Sequence, residues 1–214
     1  MDMFASVLHL DRKAAKALRI TDAYSLHRVV YSLYEDVRDS NEKAASVPSG
    51  ILYVDQGGDQ TGRKVLMLAN RRPAASVDGR YGGVQVKEIP GRFLEYNHYR
   101  FKVVVNPTRR DSASRRLMPV KGRDAIAQWF AERAQASWGF SVPSEHLQVE
   151  GIEVEQFNDK EQRKVTISKA QIQGLLNVNN SERFRQSFTQ GIGRSRTYGC
   201  GLLQIVPLID NPGN

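Results

Sequence analysis

The sequence predicts an α+β protein built from two tandem ferredoxin-like domains, and two observations carry that reading. Apolar segments of strand length alternate with a helical segment in the order strand–helix–strand–strand–loop or short helix–strand, and the order recurs loosely in the second half. The stretch from Pro90 to Tyr96 separates the halves, so domains over 1–92 and 97–214 are expected.

Residues 3–10, MFASVLHL, read as a buried strand ended by Asp11 and Arg12. From about Tyr24 to Arg38, Leu26, Val29, Val30, Leu33 and Val37 recur at spacings of three and four, the mark of a helix with one apolar face. Thr21 or Asp22 supplies the acceptor for its first free amides. Strands follow near 50–55, 63–69 and 84–88, the first two separated by the turn-rich QGGDQTG. In the second half, HYRFKVVVN (98–106) is a strand and 122–136 a helix. Strands are expected near 147–157 and 162–168, the latter running on towards Leu176. A helix from Ser181 to Thr189 precedes a glycine loop, and LLQIVPL (202–208) closes the chain.

Charge narrows the partner. Thirty-one Lys and Arg oppose 23 Asp and Glu, a formal +8, and such a surplus attracts polyanions because neutralising phosphates releases counterions. The cations cluster. Arg109, Arg110, Arg115, Arg116, Lys121 and Arg123 fall in TRRDSASRRLMPVKGR, whose Ser, Pro and Gly predict an exposed loop. Lys160, Arg163 and Lys164 lie where a hairpin turn falls. Arg183, Arg185, Arg194 and Arg196 surround the glycine loop. Three separate basic loops suit a long, curved ligand such as RNA better than a small acidic metabolite. FKVVV is too aliphatic to stack bases, so loops and helix ends are the expected contact surface.

No apolar run is long enough to cross a bilayer, and MDMFASVLHLDRK has none of the parts of a secretory signal. The single cysteine, Cys200, suits a reducing compartment, and a cytoplasmic location is expected. No paired Cys or His has zinc spacing, no Walker-type loop or serine elbow is present, and the acidic residues are scattered. No metal and no cofactor are therefore expected. His9, His98 and His146 read as structural, and Cys200 as a packing residue.

The most specific string is GIGRSRTYGCGLLQIVPL near the C-terminus. By itself it is a tight helix-to-strand connection. Gly191, Gly193, Arg196, Gly199, Gly201, Leu202 and Leu203 nevertheless fit GIG-x-x-(K/R)-x-x-G-x-GLL, which resembles the glycine-rich loop of the CasE branch of the repeat-associated RNA-binding superfamily. YRFKVVVNPT (99–108) is similar to that family's FRLRANP strand, and AYSLHR (23–28) to the helix carrying its catalytic histidine. The resemblance implies two ferredoxin-like domains and an endoribonuclease that cuts the CRISPR repeat hairpin at its 3′ base. It also implies that the guide RNA product is retained within a multi-subunit interference complex. It assigns the catalytic role to His27 and the neighbouring tyrosine role to Tyr24. Some relatives carry a lysine five residues after the histidine; here that position is Ser32, so the group that offsets transition-state charge stays open.

RNA cleavage of this kind needs no enzyme nucleophile, because the ribose 2′-OH attacks the adjacent phosphorus. The protein aligns groups, moves two protons and offsets phosphorane charge. On a helix, Tyr24, His27, Arg28 and Tyr31 are neighbours. Tyr24 is positioned to orient the 2′-OH or assist proton transfer, and Arg28 to supply charge. His27 taken alone is a structural histidine on the edge of an apolar face; the resemblance reverses that. The competing reading is a non-catalytic RNA-binding subunit of the same fold.

Overall fold

A computed structural model describes residues 2–44 and 47–208. In the first half, β1 (Phe4–Leu10), α1 (Arg12–Ala17), α2 (Ala23–Ser32), α3 (Ser40–Ala44), β2 (Ile51–Gly58), β3 (Arg63–Ala69) and β4 (Gly83–Glu88) follow one another. The strands form an antiparallel sheet in the order β2-β3-β1-β4, the ferredoxin-like arrangement. Residues 70–82, where that fold carries its second helix, are a loop closed by a bridge between Val77 and Tyr81.

The second half contains β5 (His98–Val105), β6 (Thr108–Arg110), β7 (Leu117–Pro119), α4 (Arg123–Arg133), β8 (Phe140–Ser141), β9 (Leu147–Asn158), β10 (Lys164–Val178), α5 (Ser181–Gln190) and β11 (Gln204–Pro207). Its sheet runs β11-β5-β10-β9, all antiparallel, with β8 pairing the far end of β10. Both halves are thus ferredoxin-like, as the element order predicts. Among the described residues, no helix is long and apolar enough to cross a membrane.

Three local expectations are corrected. The histidine helix stops at Ser32 rather than Arg38, because the Leu33 carbonyl accepts the Ala74 amide at 2.7 Å in place of a helical partner. Val37, expected on its apolar face, is 62% exposed. The basic segment from Thr108 is a hairpin rather than an irregular loop. Asp111 closes its tip, accepting the Ser114 amide at 2.7 Å and donating its own to the Arg116 carbonyl at 2.8 Å. The 122–136 helix ends at Arg133 and continues as a π-helical turn over Ala134–Trp138.

Packing joins the halves through β2. Ile51 and Tyr53 face α2, whose Leu26, Val29, Val30 and Leu33 cover them together with Leu8, Leu10, Val65 and Met67. Leu52 and Val54, on the opposite pleat, join Leu68 and Met3 in the larger core with Phe101, Phe130, Phe184, Leu202 and Leu203. The connection between halves is packed as well: Leu94 is buried in that core, and Tyr99 Oη donates to the Phe93 carbonyl at 2.8 Å.

The stack of Phe101 on Phe130, with ring centroids 5.5 Å apart and planes within 6°, ties α4 to the second sheet. Phe130 has no exposed surface. Phe130→Ala is expected to cost about 3–5 kcal/mol in unfolding free energy, the range for removing a fully buried aromatic ring. Urea denaturation checks this, and a loss below about 1 kcal/mol contradicts the packing described.

Candidate active site

α2 starts with a reciprocal cap. The Asp22 carboxylate accepts the Ser25 amide at 2.7 Å, and Ser25 Oγ accepts the Asp22 amide at 2.9 Å. Asp22 is thus the cap of the two candidates. The helix then directs Tyr24, His27 and Tyr31 towards the glycine-rich loop. His27 lies 4.0 Å from Tyr31, 6.3 Å from Tyr24 and 5.9 Å from Tyr198, centroid to centroid. Tyr24 and His27, expected together from helical spacing, are together. Tyr198 joins them from the loop.

The loop is held at both ends. The Ile192 amide donates to the Gly201 carbonyl at 2.9 Å, and the Gly201 amide to the Val104 carbonyl at 2.7 Å. Two positions need glycine. Gly201 has φ +85°, and a Cβ there would stand 2.3 Å from the Ile192 carbonyl oxygen; Gly191 has φ +78° and would meet Leu52 Cδ2 at 2.6 Å. Asn106, from the Asn-Pro pair after β5, donates to Ser195 Oγ at 2.8 Å. Tyr53 Oη reaches across from β2 to the Thr197 carbonyl at 2.9 Å, with its ring against Gly199. At Gly193, φ +71°, nothing among the described residues lies within 4 Å of where a Cβ would stand.

His27 is half-buried, and Nδ1 is enclosed without a hydrogen-bond partner among the described residues. Burial lowers its pKa from the usual value by disfavouring the imidazolium; the nearby Thr197 carbonyl opposes this weakly. That carbonyl already accepts from Tyr53 and completes no hydrogen bond with Nδ1. The imidazole is therefore neutral at neutral pH, the form that accepts a proton. It lines an open cleft of about 730 Å³ with Tyr31, Ser49, Asn70, Gln190 and Arg196. Across the loop, a second groove of about 630 Å³ is lined by Asn106, Thr108, Trp129, Arg133 and Arg194, with Arg196 bordering both.

The remaining cations differ in what they touch. Arg28 is exposed beside His27, and Arg194 is exposed on the loop. Arg110, Arg115, Arg116 and Lys121 are exposed on or just beyond the β6–β7 hairpin, and Arg109 stands 3.7 Å from Glu132. The root of that hairpin borders the second groove, where Trp129 Nε1 donates to the Thr108 carbonyl at 3.1 Å. Arg123 is committed to the fold: its guanidinium donates to the Val149 and Glu150 carbonyls, joining α4 to β9. In the β9–β10 turn, Arg163 pairs with Asp159 and Glu161 at 2.8 Å each, whereas Lys160 and Lys164 are exposed.

Sequence reasoning missed Tyr53 and Tyr198 as parts of the site. Tyr198 was visible within the glycine motif; Tyr53 gives no local signal, because its partner lies 144 residues away. Cys200 is buried with its thiol pushed up to about 12 by burial, which fits a packing role. His98 bonds Asn177 at 2.8 Å, and His146 is exposed at the start of β9. Among the described residues, no three His, Cys, Asp or Glu side chains gather as metal ligands.

Two ferredoxin-like domains joined along one strand, with a histidine helix docked on a glycine-rich loop between two grooves that Arg196 borders, define the class of fold. The family described as CRISPR associated protein matches residues 3–207, and the chain belongs to it. Among solved structures, it is similar to the CRISPR endoribonuclease Cse3 bound to 19-nucleotide RNA (TM-score 0.80, 19% identity, 97% of this chain and 100% of that one). It is similar to the CRISPR-associated protein Cas6e from Escherichia coli K-12 (0.62, 18%, 96% and 100%). A chain of a CRISPR RNA-guided surveillance complex also matches (0.68, 19%, 96% and 100%). At these identities the likeness establishes the fold. No curated protein matches the chain.

The neck of the loop is testable. Gly201→Ala is expected to cost about 1–3 kcal/mol, from a left-handed backbone and a blocked carbonyl, and to speed amide exchange over 192–201. Unchanged exchange and denaturation midpoint together would mean that the loop does not depend on this glycine.

Proposed function

We propose that this chain is a metal-independent endoribonuclease that binds the stem-loop of a CRISPR repeat and cleaves the precursor RNA. The observation that carries this reading is His27: neutral, half-buried, with an unpaired Nδ1, on the wall of a cleft bordered by the glycine-rich loop. Membership of the CRISPR-associated family and the likeness to an RNA-bound endoribonuclease support it.

In this reading His27 accepts the proton of the ribose 2′-OH as that oxygen attacks the adjacent phosphorus. Tyr24, one helical turn away, orients the hydroxyl. A water or second group protonates the departing 5′-oxygen, since one imidazole does not act as base and acid in the same instant. The products carry a 5′-hydroxyl and a 2′,3′-cyclic phosphate. The exposed cations of the β6–β7 hairpin, Lys160, Lys164, Arg28 and the loop arginines hold backbone phosphates. The chain works in the cytoplasm, retains the guide RNA and joins other subunits of an interference complex, as the surveillance-complex likeness supports.

The test uses the stem-loop repeat RNA of the chain's own CRISPR array. His27→Ala is expected to slow single-turnover cleavage by at least ~10², within the usual span of acid–base catalysis, with affinity held within a few-fold. Equal loss of both in a folded variant would make His27 structural. Cleavage continues in excess EDTA, and a repeat with one deoxyribose 5′ of the scissile phosphate binds but is not cut. Cutting of that RNA at the normal bond rules out 2′-OH attack.

The pH dependence follows from the lowered pKa of His27. A base must be unprotonated, so kcat/KM falls as pH drops through the free-enzyme value, which lies below the ordinary 6.5. A pH–rate profile whose acid limb is centred above 6.5, or is unchanged in His27→Ala, contradicts the assignment.

Replacing Arg109, Arg110, Arg115 and Arg116 together by Gln is expected to weaken binding and flatten its dependence on salt, since each lost phosphate contact removes counterion release. An unaltered slope of log affinity against log salt excludes the hairpin from the RNA backbone.

A further inference from the structure

The cation that offsets phosphorane charge is missing from the position where some relatives keep a lysine. Ser32 stands there, and its hydroxyl is turned onto its own helix, donating to the Val29 carbonyl at 2.8 Å. The cleft around His27 contains three cationic side chains: Arg38, Lys43 and Arg196. Two share one carboxylate, which offsets part of their charge. Arg38 binds Asp36 through Nε at 3.0 Å and Nη2 at 3.2 Å, and spends Nη1 on the Val47 carbonyl at 3.1 Å. Lys43 reaches the same carboxylate at 3.4 Å. Asp36, held well below the usual carboxylate range mainly by its hydrogen bond from Arg38, keeps its charge throughout the working pH range.

Arg196 differs on three counts. No carboxylate pairs with it among the described residues. Its side chain is seated rather than free: the stem lies across the two obligatory glycines, so that a Cβ on Gly191 would come within 3.1 Å of its Cδ and one on Gly201 within 3.0 Å of its Cγ. Its Nη1 donates to the Gln190 carbonyl at 2.8 Å, at the C-terminal end of α5, which leaves the other guanidinium N–H groups for a ligand. The residue is half-buried and borders both the His27 cleft and the second groove, whereas Arg194 is exposed and borders only the second.

We infer that Arg196 is a catalytic residue of the proposed reaction, donating to a non-bridging oxygen of the scissile phosphate as negative charge builds on the phosphorane. The inference rests on the endoribonuclease reading and assigns the charge role which that reading leaves open. A guanidinium fixed before the substrate arrives, and partly shielded from water, stabilises developing charge without reorganising in the transition state. The arrangement also gives the glycines at 191 and 201 a second consequence. Besides allowing the turn, they leave room for the arginine stem to lie flat against the loop, which sets where its head group ends.

The experiment compares Arg196→Gln, Arg196→Lys and His27→Ala on the stem-loop repeat RNA of the chain's own array, with affinity measured on the deoxy-substituted repeat. Arg196→Gln is expected to lower the single-turnover rate at saturating RNA by about 10²–10³ while affinity changes no more than a few-fold. Arg196→Lys recovers part of the rate, and added guanidinium ion raises the rate of Arg196→Gln but not of His27→Ala. A rate for Arg196→Gln within threefold of the unsubstituted protein, with His27→Ala inactive, overturns the inference and leaves the endoribonuclease reading standing. A loss that appears entirely in affinity, with neither lysine nor guanidinium restoring rate, also overturns it, since Arg196 is then only a binding or structural contact. Full activity in His27→Ala instead defeats the parent reading.

Discussion

The molecule is organised around burial of β2 on both faces. Its run Ile51-Leu52-Tyr53-Val54 is almost wholly removed from water, and alternation of side chains across the pleat sends two of them into each core. Ile51 and Tyr53 support α2, and so the histidine; Leu52 and Val54 belong to the core of the other half. The same strand meets the glycine-rich loop twice, Leu52 against Gly191 and Tyr53 at Thr197 and Gly199. The histidine and the loop it faces are thereby referred to one rigid strand. The proposed reaction, which draws on residues 24–31 and 191–201, needs such a common reference, because small displacements between reacting groups cost large factors in rate.

Net charge alone describes the electrostatics poorly. Some cations have partners within the chain: Arg123 is anchored by the Val149 and Glu150 carbonyls, and Arg163 is paired with Asp159 and Glu161 at the surface. Exposed pairs of this kind add little stability, but they remove cations from the set available to a ligand. What remains is concentrated on the glycine loop, beside His27 on α2, on the β6–β7 hairpin and in the lysines at the β9–β10 turn. Asp36 does similar work at the mouth of the cleft, where it ties up Arg38 and Lys43 on one carboxylate, whereas the loop arginine has no carboxylate partner among the described residues.

Much of the fold was legible because each segment carries its own period. The ferredoxin-like class followed from element order, and the helical spacing of Tyr24, His27 and Tyr31 placed them on one face. Features set by distant partners were not legible. The end of α2 is decided by the Ala74 amide, the role of Tyr53 by a carbonyl on the loop, and the balance at Arg38 by a turn beyond the helix. The hairpin at Thr108–Pro119 was hidden for a different reason. Its strands are three residues each, too short for alternation to stand out, and its polar composition is that of a loop. The glycine motif was visible as a string, but the requirement at Gly201 comes from a carbonyl nine residues earlier and that at Gly191 from a leucine on β2.

The shared strand also has a consequence for biosynthesis. When the first half leaves the ribosome, its sheet has all the residues it needs for pairing, yet Leu52, Val54 and Leu68 have no cover until β5 and then residues 192–203 are made. For that interval the nascent chain carries an apolar face, the kind of surface that chaperones recognise and that self-associates at high concentration. The contacts that bury it span more than a hundred residues, so closing them is slow compared with forming the hairpins on either side. Seating of the loop against β2 therefore comes late, and a truncated or stalled chain contains the histidine helix without the wall it faces.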